Sequence, residues 1–389
     1  MIYEKKNRIA LSMAMIALTA FYVGCVYPYE PSKIAEMENL LVVEGDIIAN
    51  DTTVIMLTRS EKISAESGSV LYECRANVKV EGSGGDEYIA FESSPGIYKI
   101  ATTHLDLNQE YRVHITTGDY KVYASEFVPV ITSPPIDSLH YVVDKEKRSV
   151  TVYLATHNPE NNTRYYRWTC EQDWEIVSHY PSFLTYDIST GLYAERPNEQ
   201  NIYFCWNRET LRDIVIDNTL KLTDDVVFDK ELFTIFEGDQ RISYLYCIRA
   251  VQRGLSEKAY LYWYNMNKIN DMAGIFAPMP TEHNGNIHCL SNSDIPVLGY
   301  INATTVTCSE RLYIPAPFLL HTDWECVDNK EIIAERNTTR ANWIAQYMLP
   351  VMYDWPEPPR TVIWANKSCV DCRYHGTKNR PSFWPNDHL

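Results

Sequence analysis

Apolar and polar positions alternate in short runs through most of the chain. Leu40-Leu41-Val42-Val43-Glu44 stops at Gly45, Thr53 to Thr58 is a second β-rich run, and Asn77 to Glu81 alternates ahead of the turn Gly82-Ser83-Gly84-Gly85. Tyr88 to Phe91, Gly96 to Ile100, Tyr111 to Ile115 and Lys121 to Phe127 follow at short spacing. A period of two sends successive side chains to opposite faces of a strand. About seven such runs separated by turn residues predict an immunoglobulin-like β-sandwich over residues 40–133. Thr132-Ser133-Pro134-Pro135 then breaks the pattern and marks a domain boundary.

Strand patterns resume at Leu139 to Val143, Val150 to Thr156 and Tyr165 to Val177, the last long for one straight strand. Ser178 to Gln200 shows little period and holds Pro181, Gly191 and Pro197, so it reads as a surface excursion. Ile242 to Arg249 is the next strand. From Leu255 the spacing changes: Leu255, Ala259, Tyr262, Met266 and Ile269 recur at helical intervals behind Ser256 as N-cap, predicting a helix over residues 256–270. Strands at Gly285 to Leu290, Val297 to Ala303 and Arg311 to Ile314 follow, and a Pro- and Trp-rich tail from Trp343 reads as wrapping the domain. The fold class predicted is mainly β: two β-sandwich domains, the second (residues 134–389) fibronectin type III-like with one helix.

The start of the chain follows another pattern. Lys5, Lys6 and Arg8 precede an apolar run from Ile9 to Val23, and Gly24 stands before Cys25. This mostly apolar run of 15 residues falls short of the roughly 20 that span a bilayer and suits the core of a secretory signal. Residues 1–24 thus read as a lipoprotein signal peptide and Cys25 as the lipidation site, with Tyr22 where such signals usually carry Leu. An uncleaved N-terminal anchor or an ordinary cleaved signal are the alternatives; all three export the chain. Residues 25–39 form a tether with two prolines, whose length after Cys25 reaches roughly 45–50 Å if extended.

Composition narrows the partners. The net charge is −16, which opposes nucleic-acid binding, since neutralising phosphate supplies most of that affinity, and opposes lying flat on anionic lipid. Ten cysteines enter a compartment where disulfides persist. Cys170, Cys247 and Cys289 sit at strand-like apolar positions and read as small buried hydrophobes. Pairing is expected among Cys205, Cys326, Cys369 and Cys372, with connectivity open.

Several of these stretches together resemble a known family. Leu41-Val42-Val43-Glu44-Gly45, Leu57-Thr58-Arg59-Ser60, Cys205-Trp206, Gly274-Ile275-Phe276-Ala277-Pro278-Met279-Pro280 leading into Gly285-Asn286-Ile287, Val297-Leu298-Gly299-Tyr300, Cys369-Val370-Asp371-Cys372 and Pro381-Ser382-Phe383-Trp384 are similar, in order, to the Bacteroidota lipoprotein family known as domain of unknown function 4249. The resemblance implies an outer-membrane lipoprotein of the kind encoded beside TonB-dependent receptors, with no established enzymatic activity and no catalytic residue to transfer. An acidic run directly after the lipidated cysteine resembles a surface-export signal in such bacteria. Here Val26-Tyr27-Pro28-Tyr29 comes before the first acid, Glu30.

Candidate chemistry is sparse. Cys369-x-x-Cys372 with His375 offers partial zinc ligation, a redox pair without the βαβ context it needs, or structural disulfides pinning the tail to Cys326 and Cys205. His283 and His288 flank Asn284 to Ile287, but His288 and Cys289 fall on opposite faces of a strand and cannot easily share an ion. No metal and no cofactor are expected, and no catalytic motif occurs. The 28 tyrosines include Tyr180, Tyr186 and Tyr193 in the excursion, where they suggest a contact surface. Asp51-Thr52-Thr53 and Asp137-Ser138-Leu139 resemble O-glycosylation acceptors, at Thr52 and Ser138. The function expected is a non-enzymatic, lipid-anchored outer-membrane subunit that partners a TonB-dependent receptor and binds no nucleic acid, more at the cell surface than in the periplasm. A structural or adhesive surface protein is the alternative, and an uncharacterised hydrolase a further one.

Overall fold

The computed structural model describes residues 39–60, 70–211, 213–271, 285–318, 326, 330–355 and 357–386. Cys25, the tether before Asn39, Gly274 to Pro280 and His283 lie outside the described residues. The described chain is mainly β, as the alternation predicts.

The first sandwich packs two sheets. In one, Leu41–Glu44, Thr52–Arg59, Ile97–Ala101 and Phe91–Ser94 lie side by side. In the other, Glu110–Thr116 is central, flanked by Asn77–Gly82, Val122–Ser125 and Val128–Ile131. Period-two burial places Ile55 and Leu57 of the first sheet against Val78, Val80, Val113 and Ile115 of the second.

The linear boundary at residue 133 is corrected by the path of the chain. Three strands from much later return to this sandwich: Ile287–Cys289 pairs with Val122–Ser125, Leu298–Gly299 lies parallel to Leu41–Glu44, and Ala303–Thr304 runs parallel between Ile47–Ile48 and Val128–Ile131. Gly299 permits the approach: its φ is +128°, and a Cβ there would sit 2.1 Å from the Val43 carbonyl oxygen, so only glycine fits. Parallel partners some 250 residues apart leave no local signal, because the turn that would announce them does not exist.

The second sandwich sets the three-stranded sheet Ile136–Asp144, Ser149–Asn158, Asp225–Phe236 against a six-stranded sheet centred on Tyr165–Val177 and Leu245–Gly254. Val150, Val152 and Leu154 face Tyr166, Trp168, Ile248 and Ala250. The fully buried Trp168 indole donates to Gln252 Oε1 at 2.8 Å, so that core N–H is paired. The expected helix is present at Glu257–Asp271, and Ser256 Oγ accepts from the Ala259 amide as its cap. Two short helices, Thr338–Ile344 and Lys367–Val370, were not expected; each is capped by an asparagine side chain, Asn337 and Asn366.

The sandwiches meet end to end. Leu41–Glu44 runs from Asn39 towards Asp46, and Asp46 enters the second sandwich between Arg167 and Arg253, at 3.4 and 3.3 Å. Those arginines stand directly opposite one another on paired strands, an arrangement that repels unless a counter-charge is supplied. The Arg167 guanidinium also lies 3.7 Å from the ring centre of Trp263 on the helix. Burial pulls the Arg167 pKa down, while the Asp46 charge opposes that effect. From this junction Tyr165–Val177 runs 13 residues, about 40 Å at roughly 3.3 Å per residue, before the chain enters a third, smaller body.

Candidate interaction surfaces

That third body, the C-terminal lobe, is built by the stretch read as an excursion together with the tail. Leu184–Asp187 and Leu192–Glu195 form a hairpin, its turn held by Asp187 Oδ1, which accepts from the Ser189 amide at 2.8 Å and hydroxyl at 2.6 Å. A two-stranded hairpin is marginal alone. This one lies on the sheet Lys330–Ala334, Thr361–Asn366, Met348–Trp355, where Leu184, Ile333, Ala341, Ile344 and Val362 surround a fully buried Trp364.

The three tyrosines therefore have a different role from the one expected. Tyr186 and Tyr193 pack against each other across the hairpin, tilted, at 4.8 Å and meet Trp364 edge-on at 5.3 and 6.0 Å. Burial pushes the Tyr193 phenol up to about 12. Tyr180 packs with Ile202, Val351 and Val370, and its hydroxyl donates to the Cys326 carbonyl. These rings form the half-buried face the hairpin needs in order to dock, rather than a free contact surface. Thr52 and Ser138 are both exposed on their strands.

The four expected cysteines pair, as Cys205–Cys372 and Cys326–Cys369. The C-x-x-C motif thus splits between two partners, and His375 turns to the Ser368 carbonyl at 3.0 Å. Between the paired cysteines, burial would raise the Asp371 pKa, but the Arg373 side chain and backbone amide bond its carboxylate and hold it below the usual range. Cys170, Cys247 and Cys289 are buried as read, and Cys74 and Cys308 are exposed.

The outer face of the lobe's sheet is only partly covered. At the Ala365 end, Tyr180, Ile202 and Val370 lie on it. At the other end, Ile332, Ile363 and Met352 form one row across the three strands, with Ile332 55% exposed, and Trp355, paired with Thr361, 58% exposed. Ile363, between Ile332 and Met352, is half-buried, so this is an apolar strip open at its edges, the kind of feature that marks an interaction site.

One buried ionisable cluster, in the second sandwich, is closed over by the tail. Asp173, fully buried, accepts from Arg208 Nε at 2.7 Å and faces Arg311 at 3.7 Å. The final segment straps across it. Thr377 and Trp206 exchange backbone bonds of 2.8 Å, Gly376 passes where a Cβ would meet the Trp206 carbonyl at 2.7 Å, and the Phe383 ring caps the Arg311 guanidinium at 3.4 Å. The arrangement is a neutralised plug under an aromatic lid and offers no exposed reacting group. Among the described residues no set of three His, Cys, Asp or Glu side chains converges as a metal site. His288 points outward near Glu126 while Cys289 points inward, as period two requires. A cavity of about 740 Å³ is lined by Gly285, residues 287–293 and residues 295–297, and among these described residues only His288 and Cys289 are ionisable. Among the described residues no helix is long and apolar enough to cross a membrane.

Two β-sandwiches, the first closed by strands that return from late in the sequence, followed by a cystine-stapled lobe, define a modular β protein. The chain belongs to the family described as a domain of unknown function, DUF4249, whose model matches residues 26–310. That match takes in the first sandwich and all of the second but its strand Leu312–Pro315, and stops before the lobe's sheet and the motifs from Cys369 onward. No curated protein matches the chain.

Proposed function

We propose that this protein is a non-enzymatic, lipid-anchored outer-membrane subunit, displayed on the cell surface, that docks on a TonB-dependent receptor through its C-terminal lobe. The observation that carries the reading is the row Ile332, Ile363, Met352 with Trp355 on the outer face of the lobe's sheet. The positively charged, apolar, Gly24-Cys25 leader supports the anchor. Exposed aliphatic and aromatic side chains ringed by polar ones suit a protein partner, where a few such anchors carry most of the affinity.

Affinity purification from native membranes through a C-terminal tag tests this. A large β-barrel identified by mass spectrometry as a TonB-dependent receptor is expected to co-isolate, and Ile332→Asp with Met352→Asp is expected to abolish its recovery at unchanged lipoprotein yield. Recovery of the lipoprotein alone in several mild detergents overturns the proposal. Unchanged receptor recovery by the double variant removes the lobe from it.

A further inference from the structure

We infer that the end of the first sandwich where the tether enters is a bilayer-facing surface, with Val70, Leu71, Tyr72, Tyr120 and Leu290 resting in the interfacial layer of a zwitterionic leaflet. The inference rests on reading Cys25 as a lipid anchor. Hydrogen bonds and strand register bring these residues to one end. The Asn39 amide donates to the Ser60 carbonyl, and the Arg59 guanidinium donates back to the Asn39 carbonyl. Leu71 and Tyr72 pair with Arg59 and Thr58. In the facing sheet, Ala76 donates to the Tyr98 hydroxyl, which donates to the Glu73 carbonyl, so Asn77 and its partner Thr116 lie at the same end. The turn Thr117 to Lys121 closes just beyond, with Tyr120 at its tip, and the Leu290 amide donates to Val122 beside it. The junction with the second sandwich, at Asp46, is at the opposite end of Leu41–Glu44.

All five side chains are large, apolar or phenolic, and exposed, Tyr120 to 87%. Tyrosine is the residue that water–lipid interfaces favour, having an apolar ring and a polar tip. The occupant follows from where the chain outside the structure leads. If Cys25 carries acyl chains, the 13 residues from Val26 to Glu38 join them directly to this end. They keep it within reach of the leaflet at high effective concentration, so a modest apolar surface suffices. Charge selects the lipid class. Among the described residues at this end Arg59 pairs with Glu73 at 2.6 Å, Lys121 with Asp119 at 2.9 Å, and Arg75 lies beside Glu92, so these cations are matched by acids and present no basic excess to anionic headgroups. The tether is long enough for the body to stand clear, but these residues give the tethered end a reason to settle.

The molecule supplies its own control for a test. All nine tryptophans lie at Trp168 or later in the sequence, so Tyr120→Trp places one reporter at the tether end. The full lipoprotein carrying Tyr120→Trp is reconstituted in phosphatidylcholine vesicles whose chains are brominated near the glycerol. The emission added by the substitution is expected to fall about twofold or more, while the wild-type emission stays unchanged and anionic lipid adds nothing. Adding Tyr72→Glu and Leu290→Glu to the reporter chain is expected to restore that emission with the protein still floating with the vesicles. Undiminished emission from a protein that floats overturns the inference and leaves the anchor standing. A protein that lacks acyl mass and does not float overturns the anchor reading, and the inference with it. Emission that changes only when a co-purified barrel is present assigns this face to a protein partner and also overturns the inference.

Discussion

The two ends of this molecule solve the same problem in opposite ways. At the tether end, the first sandwich holds a large core shared between two sheets, closed by backbone pairing that recruits residues from far along the chain. The lobe has a small core around one tryptophan and two disulfides, one tying it to the second sandwich and one within its own chain segment. Small bodies bury too little surface to stand alone and need staples. The difference shows that stability at the first end is distributed, while at the second it rests on a few identifiable atoms.

The sharpest way to break that asymmetry is Trp364→Ala. Deleting a fully buried indole costs about 3–5 kcal/mol, which exceeds what a small core supplies. Limited proteolysis is expected to cut the lobe of this variant rapidly while a fragment covering both sandwiches persists. Simultaneous loss of all three bodies would show that the lobe is not a separate cooperative unit. A smaller effect comes from Cys326→Ser with Cys369→Ser, which reopens a loop of sequence separation 43. Removing such a cross-link costs about 2–4 kcal/mol, seen as a lobe transition at lower denaturant with the sandwich transition unmoved. The smallest effect is acid sensitivity. Because the Asp371 carboxyl is held below its ordinary range in the folded lobe, its bonds stabilise the lobe above the unfolded carboxyl pKa, near about 4. That contribution fades as pH falls through the lowered folded value. It is on the order of 0.5–1 kcal/mol, and Asp371→Asn is expected to flatten the fall in lobe stability between pH 5 and pH 2.

Which parts were legible follows from which forces are local. Strands with one buried face announced themselves, since Val78 and Val80, or Tyr111, Val113 and Ile115, alternate strictly with polar, half-buried positions. Ser256 announced the helix, and the four cysteines announced the staples. Asp225–Phe236 was missed because Asp225, Asp229, Lys230 and Glu231 interrupt its period, and the register shifts near Asp229, whose φ is +46°. The lobe hairpin was missed because its inward face is phenolic: Tyr186 and Tyr193 look like surface residues until Trp364 lies beneath them. The row Ile332, Ile363, Met352 joins three separate segments, and its exposure depends on what fails to cover it, which no sequence window contains.

The returning strands also set an order of events as the chain is made. An emerging N-terminal sandwich cannot close until residues through Thr304 have appeared, because the edges of Leu41–Glu44 and Val128–Ile131 await Leu298–Gly299 and Ala303–Thr304. For most of synthesis those edges are open templates for wrong pairing, and contacts so distant in sequence form slowly. The protein therefore depends, while it is being made, on whatever shields nascent strands in its compartment.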